Sequence, residues 1–205
     1  LCASTASRLA PAPKALAMKR GTVLVAGTAA AAALLSVVVP LSRAFVWNVT
    51  ASVPTGLYHI GDAAGLHVGE RVALDPPHRL RDYLARRGYL PAGVPLMKEV
   101  AALPGDTVCR NGLAITINAS PAASARARDR TGRALPVWDG CRTIAAHEIF
   151  VMNLRAPASF DGRYFGPLAR HRVIGRARPV WTDEAGDGDH VWFARFPRNS
   201  QPHRQ

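Results

Sequence analysis

"VPLMKEVAALPGD", residues 94–106, sets the reading of the chain. Its hydrophobic run carries one lysine and one glutamate, and Pro104-Gly105-Asp106 closes it as a turn, the pattern of a strand that stops abruptly. Side chains alternate between faces along a strand, so Leu96, Lys98, Val100 and Ala102 share one face while Met97 and Glu99 share the other. Lys98 is therefore expected among apolar side chains, where loss of solvation favours the neutral amine. The residue type is itself unusual here: of 26 Lys plus Arg, only Lys14, Lys19 and Lys98 are lysines. Arginine stays charged, whereas a buried lysine can give up its proton. Moving a lysine from about 10.4 to near 7 takes roughly 4–5 kcal/mol of differential environment, which a packed interior can supply, and the result is a general base. A lysine snorkelling from a strand edge, or pairing with Glu99, is the structural alternative.

Working outward, "WNVTASVPTGLYHIG" (47–61) alternates and reads as a strand reaching a bend at Pro54 to Gly56. "VGERVALD" (68–75) is another short strand, and "PPHRLRDYLARRGYLPAG" (76–93) is a short helix stopped by Gly88 and Pro91. "TVCRNGLAITIN" (107–118) places Asn-Gly between two β-rich runs, a hairpin signal. Residues 119–134 have no apolar period and read as a mobile loop. Strands resume through "HEIFVMNL", "HRVIGRARPVW" and "HVWFARF" before a polar tail from Pro197. No internal repeat interrupts the pattern. Many short strands, many turns and little helix predict a mainly β chain with a single antiparallel, barrel-like domain rather than an α/β sheet.

The 205 residues suffice for one domain with a real core plus a short extra element. Net charge is +12, but the arginines are scattered among Ala, Pro and Gly without a zinc-finger spacing, an RNA-binding aromatic signature or a basic helix, which argues against nucleic acid. Attraction to anionic membrane lipid fits better, because "GTVLVAGTAAAAALLSVVVPLS" (21–42) carries no charge and as a helix would cover the hydrocarbon thickness of about 30 Å. Arg8, Lys14, Lys19 and Arg20 precede it with no acidic residue among them. The expected arrangement is a basic cytoplasmic segment (1–20), a single transmembrane anchor (21–42), an exported domain in the periplasm (43–196) and a polar tail (197–205). A cleaved secretory signal with "SRA" at 42–44 is the alternative, and a start at Met18 would keep the same anchor behind a shorter leader. Cys2 lies on the cytoplasmic side of this arrangement, leaving Cys109 and Cys141 as the pair beyond the membrane. A disulfide between them would contribute roughly 3–4 kcal/mol in an oxidising compartment; two buried free thiols are the other reading.

Ser52 precedes the Val-Pro-Thr-Gly bend, which would present its hydroxyl at a strand end, and Thr50 would share its face. Here the chain resembles the type I signal peptidases, membrane-anchored serine proteases that use a Ser–Lys pair. "SVPTGLY" matches their nucleophile box, "KEVAALPGD" their base-lysine box, and "SFDGRYFGP" (159–167) their Ser-x-Asp-x-Arg box, in the family's order over roughly residues 48–167. Arg-Tyr-Phe-Gly-Pro, the short domain and the cysteine pair are most similar to the conjugative transfer peptidases (TraF type), which process pilin precursors for mating-pair formation. Two departures stand out. Thr50 replaces the usual oxyanion-site serine of the general enzymes, and Gly162 stands where a serine is frequent.

The resemblance implies Ser52 as nucleophile, Lys98 as base, the Ser52 amide and Thr50 hydroxyl as oxyanion donors, Ser159 orienting the Lys98 amine, and an Asp161–Arg163 ion pair beneath the site. The substrate would be an exported precursor such as a pilin, in or beside a conjugation machinery in the inner membrane, with a linear or cyclised product and no cofactor. A general signal peptidase is the near alternative; a non-enzymatic anchored β module of a secretion or conjugation machine is the distant one. His59 and His171 lie in no recognisable Ser–His–Asp motif, and His59 and His67 are too far apart for a metal pair on one helical turn. "DEAGDGDH" (183–190) lacks the spacing of an EF-hand and reads as a solvated loop, so no metal is expected.

Overall fold

The computed structural model describes residues 20–38 and 44–195. The basic leader with Cys2 and Met18, residues 39–43 and the polar tail lie outside the described residues. Contacts divide the chain into two units, residues 1–41 and 42–205. In the first, α1 spans Arg20–Val38, a run of Ala, Val and Leu that contains no proline. The helix expected there is present, yet among the described residues no helix is long and apolar enough to cross a membrane.

The second unit is built from antiparallel strands. β1 (Phe45–Asn48) and β2 (Thr55–Gly61) form a hairpin. β3 (Arg71–Leu74), α2 (His78–Arg87) and β4 (Leu96–Ala102) follow. Then come β5 (Thr107–Asn111), β6 (Ala114–Ile117), β7 (Ser120–Ser124) and β8 (Gly140–Thr143). β9 (Glu148–Val151), the one-turn helix α3 (Gly162–Phe165), β10 (Leu168–Ala169), β11 (Val173–Asp183) and β12 (Val191–Trp192) complete the unit. The larger sheet runs β1-β2-β11-β3-β4-β9-β10, with β12 on β11; the smaller runs β7-β6-β5-β8. Mainly antiparallel β structure is as expected, but the larger sheet is open, with β1 and β10 at its two ends, and not a closed barrel.

β4 sits inside the larger sheet, paired with β3 on one side and β9 on the other. Its Leu96 and Val100 enter a core with Val72, Leu74, Leu84 and Ile149, whereas Met97 packs with Val53, Tyr58 and Ala177. Six of the seven β4 residues are buried, because both faces of the strand are covered. β11 carries Pro179 in its interior, and its register with β2 shifts between Pro179 and Trp181. A proline offers no N–H to the ladder, so a bulge is where a strand accommodates it.

Three local expectations are corrected. The bend expected at Pro54 to Gly56 lies earlier, around residues 50–53, and β2 already runs from Thr55 through Gly56. The Asn-Gly hairpin is present, but Asn111 pairs with Ala114, so the loop is Gly112-Leu113 with the glycine at φ 57° in its first position. The stretch 119–134, expected to be a mobile loop, contains β7 and a bridge between Arg128 and Ala134. Backbone pairing and hydrogen bonds to Asp129 order it, and neither leaves an apolar period. α2 ends as expected at Gly88 in the left-handed conformation. The Cys109–Cys141 disulfide is formed, joining directly opposed residues of β5 and β8.

Gly56 sits where β2 and β11 approach closely. Its φ is 130°, and a Cβ there would run into the Trp181 carbonyl of β11. Gly56→Ala is expected to lower unfolding free energy by about 2 kcal/mol or more, read as a fall in the denaturation midpoint at unchanged slope.

Candidate active site

The turn between β1 and β2 has a hydrophilic anchor. Asn48, at the end of β1 and 6% exposed, donates from Nδ2 to the carbonyls of Thr50 (2.8 Å), Val53 (3.0 Å) and Pro54 (3.0 Å). Its Oδ1 accepts from the Thr50 amide at 3.1 Å and the Thr50 hydroxyl at 2.8 Å. An amide satisfies a tight turn's carbonyls and N–H groups at once, without introducing charge. The Thr50 proton is thereby committed to Asn48, so in the 3.1 Å contact between Thr50 Oγ1 and Ser52 Oγ the serine is the donor. Ser52 lies within the turn, not at a strand end, and its proximity to Thr50 comes from the turn rather than from strand alternation.

Lys98 is 2% exposed in β4. Burial pushes its ammonium down to about 8; Asp161 opposes this and Arg163 adds to it. Its Nζ donates to Ser159 Oγ at 3.0 Å. Ser52 and Lys98 therefore each hold a different hydroxyl partner, Thr50 and Ser159 respectively, while lining one cleft of about 490 Å³. Thr50 and Ser159 line it too.

Beneath the cleft, Asp161 and Arg163 form a bidentate pair, Nε to Oδ1 and Nη2 to Oδ2, both 2.8 Å, with both side chains buried. Asp161 also caps α3 by accepting from the Arg163 amide, and accepts from the Asn153 amide at 3.1 Å. Arg163 spends its other donors on the carbonyls of Ala156, Pro157, Ser159 and Ser124. The pair thus shapes the 156–159 loop that delivers Ser159. Gly162 is required by close packing: a Cβ there would lie 2.6 Å from the Val151 carbonyl and 2.7 Å from the Phe150 ring. A serine at this position would not fit the observed backbone.

Asn153 belongs to no motif in the sequence. It is 2% exposed; its Oδ1 accepts from the Glu99 amide at 2.9 Å, and its Nδ2 donates to the Ser52 carbonyl at 2.6 Å and reaches Ser159 Oγ at 3.5 Å. One amide side chain therefore ties the lysine strand, the serine turn and the Ser159 loop together. Its only sequence signal was position, just ahead of the Ser-Phe-Asp box.

His59 packs edge-on against Phe45 and His171 sits exposed in a short 3₁₀ turn; neither lines the cleft. In the acidic run, Asp183 accepts from the amides of Gly186, Asp187 and Gly188, and Glu184 forms a paired contact with buried Arg71 at 3.0 Å. These two carboxylates hold structure, which the reading as a solvated loop did not foresee.

The chain matches the family described as signal peptidase, peptidase S26, over residues 18–182. A conjugal transfer protein TraF of Agrobacterium tumefaciens (strain 15955) is 37% identical over 145 residues, covering 66% of this chain and 81% of the relative. A plasmid transfer protein TraF of Escherichia coli is 34% identical over 175 residues, covering 80% and 97%. Among solved structures, a signal peptidase I of Enterococcus faecalis V583 is 20% identical, covering 54% of this chain and 95% of that one, with a TM-score of 0.32.

The lowered Lys98 has a consequence for stability that does not involve activity. Between its folded value of about 8 and the ordinary value of 10.5, the unfolded chain binds the extra proton, so this residue's penalty is full below 8 and disappears as pH rises to 10.5. Lys98→Met is expected to shift stability relative to the native chain by up to about 3 kcal/mol more favourably at pH 7 than at pH 10.5. Paired chemical denaturation at the two pH values checks this; a difference independent of pH would show that the amine is not perturbed.

Proposed function

The chain belongs to the signal peptidase family, peptidase S26, and on that premise we propose that it is a membrane-anchored serine endopeptidase with Ser52 as nucleophile and Lys98 as its base. The observation that carries this reading is a buried lysine, lowered to about 8, lining the same cleft as a serine held on a pinned turn. On binding substrate, Ser52 turns its proton from Thr50 toward the Lys98 amine. Its Oγ attacks the peptide carbonyl as neutral Lys98 takes the proton. The oxyanion is met by the Ser52 amide and by the Thr50 hydroxyl, which must leave Asn48 to donate; one such donor is worth roughly 3–4 kcal/mol in other proteases. Lys98 then protonates the departing amine, and water, or an amine of the substrate itself, releases the acyl group. Ser159 keeps the Lys98 amine aimed into the cleft, and Asp161 with Arg163 positions Ser159.

The relatives are named conjugal and plasmid transfer proteins, which supports an exported precursor such as a pilin as substrate, handled within a conjugation machinery. The uncharged run 21–42 behind a basic segment supports a retained single-pass anchor in the inner membrane, with residues 43–196 as a periplasmic catalytic domain in which the Cys109–Cys141 bond is stable.

Ser52→Ala and Lys98→Arg are each expected to reduce precursor cleavage by at least about a thousandfold, since either removes a whole catalytic function. In the native chain kcat/KM should rise with pH and level off above about 8, where Lys98 is neutral. Undiminished processing by Lys98→Arg would end the assignment.

Asn153→Ala, which frees the Ser52 carbonyl, should lower kcat by about tenfold or more with the same pH midpoint, marking a positioning residue rather than a proton carrier. Steady-state kinetics across pH reads both quantities; a shifted midpoint would mean that Asn153 tunes Lys98 instead.

A further inference from the structure

Part of the cleft has no place in the Ser52 chemistry. Arg126, Arg128, Arg130, Arg133 and Arg155 all line it, against one acidic lining residue among the described residues, Asp129. Asp129 is fully engaged within the fold. It accepts from the Tyr89 hydroxyl, from the Thr131 amide and hydroxyl, and from Arg133 through its amide at 2.9 Å and Nε at 2.8 Å. Loss of water around it works against ionisation, but the hydrogen bonds from Tyr89, Thr131 and Arg133 outweigh this and hold the carboxyl well below the usual range. Arg133 is thereby paired, sharing Asp129 with Arg87 at 3.5 Å. Arg126, Arg128, Arg130 and Arg155 are exposed and form no ion pair among the described residues, although Arg155 lies near enough to Glu184 to help lower its carboxyl.

A solvated charged face would be the ordinary explanation, but three of these cations stand on a fastened arm. The arm that bears Arg126, Arg128 and Arg130 is fastened to the end of α2: Arg87 donates to the Ala134 carbonyl (3.2 Å), Arg133 to the Arg87 carbonyl (3.0 Å), and Tyr89 to Asp129. Four like charges line one cleft, and an anion entering it would meet attraction from each, screened by salt. Guanidinium presents paired donors that match a carboxylate. A cleft shared with a nucleophilic serine suits an extended peptide better than a lipid surface, which a convex face would meet more readily.

We propose that the cleft recognises acidic peptide segments, with Asp or Glu side chains flanking the bond presented to Ser52 held by Arg126, Arg128, Arg130 and Arg155. This rests on the reading of Ser52 and Lys98 as the reacting pair. The test separates binding from cleavage. The full chain carrying Ser52→Ala, in detergent micelles, is titrated against fluorescein-labelled peptides of one sequence whose flanking positions are Asp/Glu, Asn/Gln or Lys. The acidic peptide is expected to bind at least about tenfold more tightly than the neutral one at low salt, with the gap narrowing as salt rises.

Replacing Arg126, Arg128, Arg130 and Arg155 together by Gln should erase the gap at an unchanged melting temperature. Arg130→Glu alone, at a side chain with no hydrogen bond among the described residues, should narrow it even if the fourfold variant unfolds. Equal binding of acidic and neutral peptides overturns the proposal. So does a gap that survives these changes, or variants that lose binding to phosphatidylglycerol vesicles while their peptide affinities are unchanged. Cleavage of a precursor peptide by the native chain, lost in Ser52→Ala, tests the parent reading separately. A binding gap without cleavage sinks the enzyme assignment and leaves the acidic-peptide cleft; cleavage without a gap does the reverse.

Discussion

The burial of one ammonium group is the constraint on which the rest of the domain turns. Lys98 stands in a strand covered on both faces, and the cost of desolvating its charge is what brings its titration down to about 8. That shift survives only if no uncompensated carboxylate comes near. Asp161 is the acid that opposes it, and Asp161 is locked by two 2.8 Å hydrogen bonds to Arg163, whose own charge pushes Lys98 the other way. A buried ion pair of this kind is weak evidence for stability but strong in effect when one partner is removed, because the other would be left bare. Here the two charges of the scaffold that shapes the Ser159 loop act on the lysine in opposite senses.

The same economy of charge governs the serine. Its turn is gripped from two directions by neutral amides, Asn48 from β1 and Asn153 from the chain after β9. Carboxylates in those positions would satisfy the amide N–H groups but would leave the turn carbonyls unmet, and each would raise the lysine again. Buried asparagines supply donor and acceptor together. Their hydrogen bonds also fix which hydroxyl donates to which, since the Asn48 oxygen takes the Thr50 proton and leaves Ser52 to give its own to Thr50. The resting arrangement is one in which serine and lysine are each parked on a neighbouring hydroxyl, within one cleft.

Much of this site was legible along the chain because it resides in short local patterns. Lys98 drew notice as the one lysine beyond the basic leader in a strand of alternating faces, and Ser52, Thr50, Ser159, Asp161 and Arg163 fell in boxes whose spacing carries the family resemblance. Asn48 and Asn153 were not legible. An asparagine announces nothing about whether it faces water or a turn, and Asn153 meets the Ser52 carbonyl across a separation of 101 residues. The order of the 119–134 arm was not legible for a related reason. Its order comes from pairing with β6 and from the bonds to Asp129, and a stretch held by polar contacts leaves no hydrophobic period to detect.

Composition and alternation by themselves determined the β character, the turn positions to within a few residues and the apolar surroundings of Lys98, because each of these depends on near neighbours in the chain. Ser52, Thr50, Ser159, Asp161 and Arg163 were marked only by the family resemblance. Tertiary structure alone decided that the larger sheet stays open, that Thr50 donates to Asn48, and that five arginines share the cleft with Ser52. Those outcomes depend on which distant strands meet and on where each hydrogen bond finds a partner, and that information exists only once the chain has closed on itself.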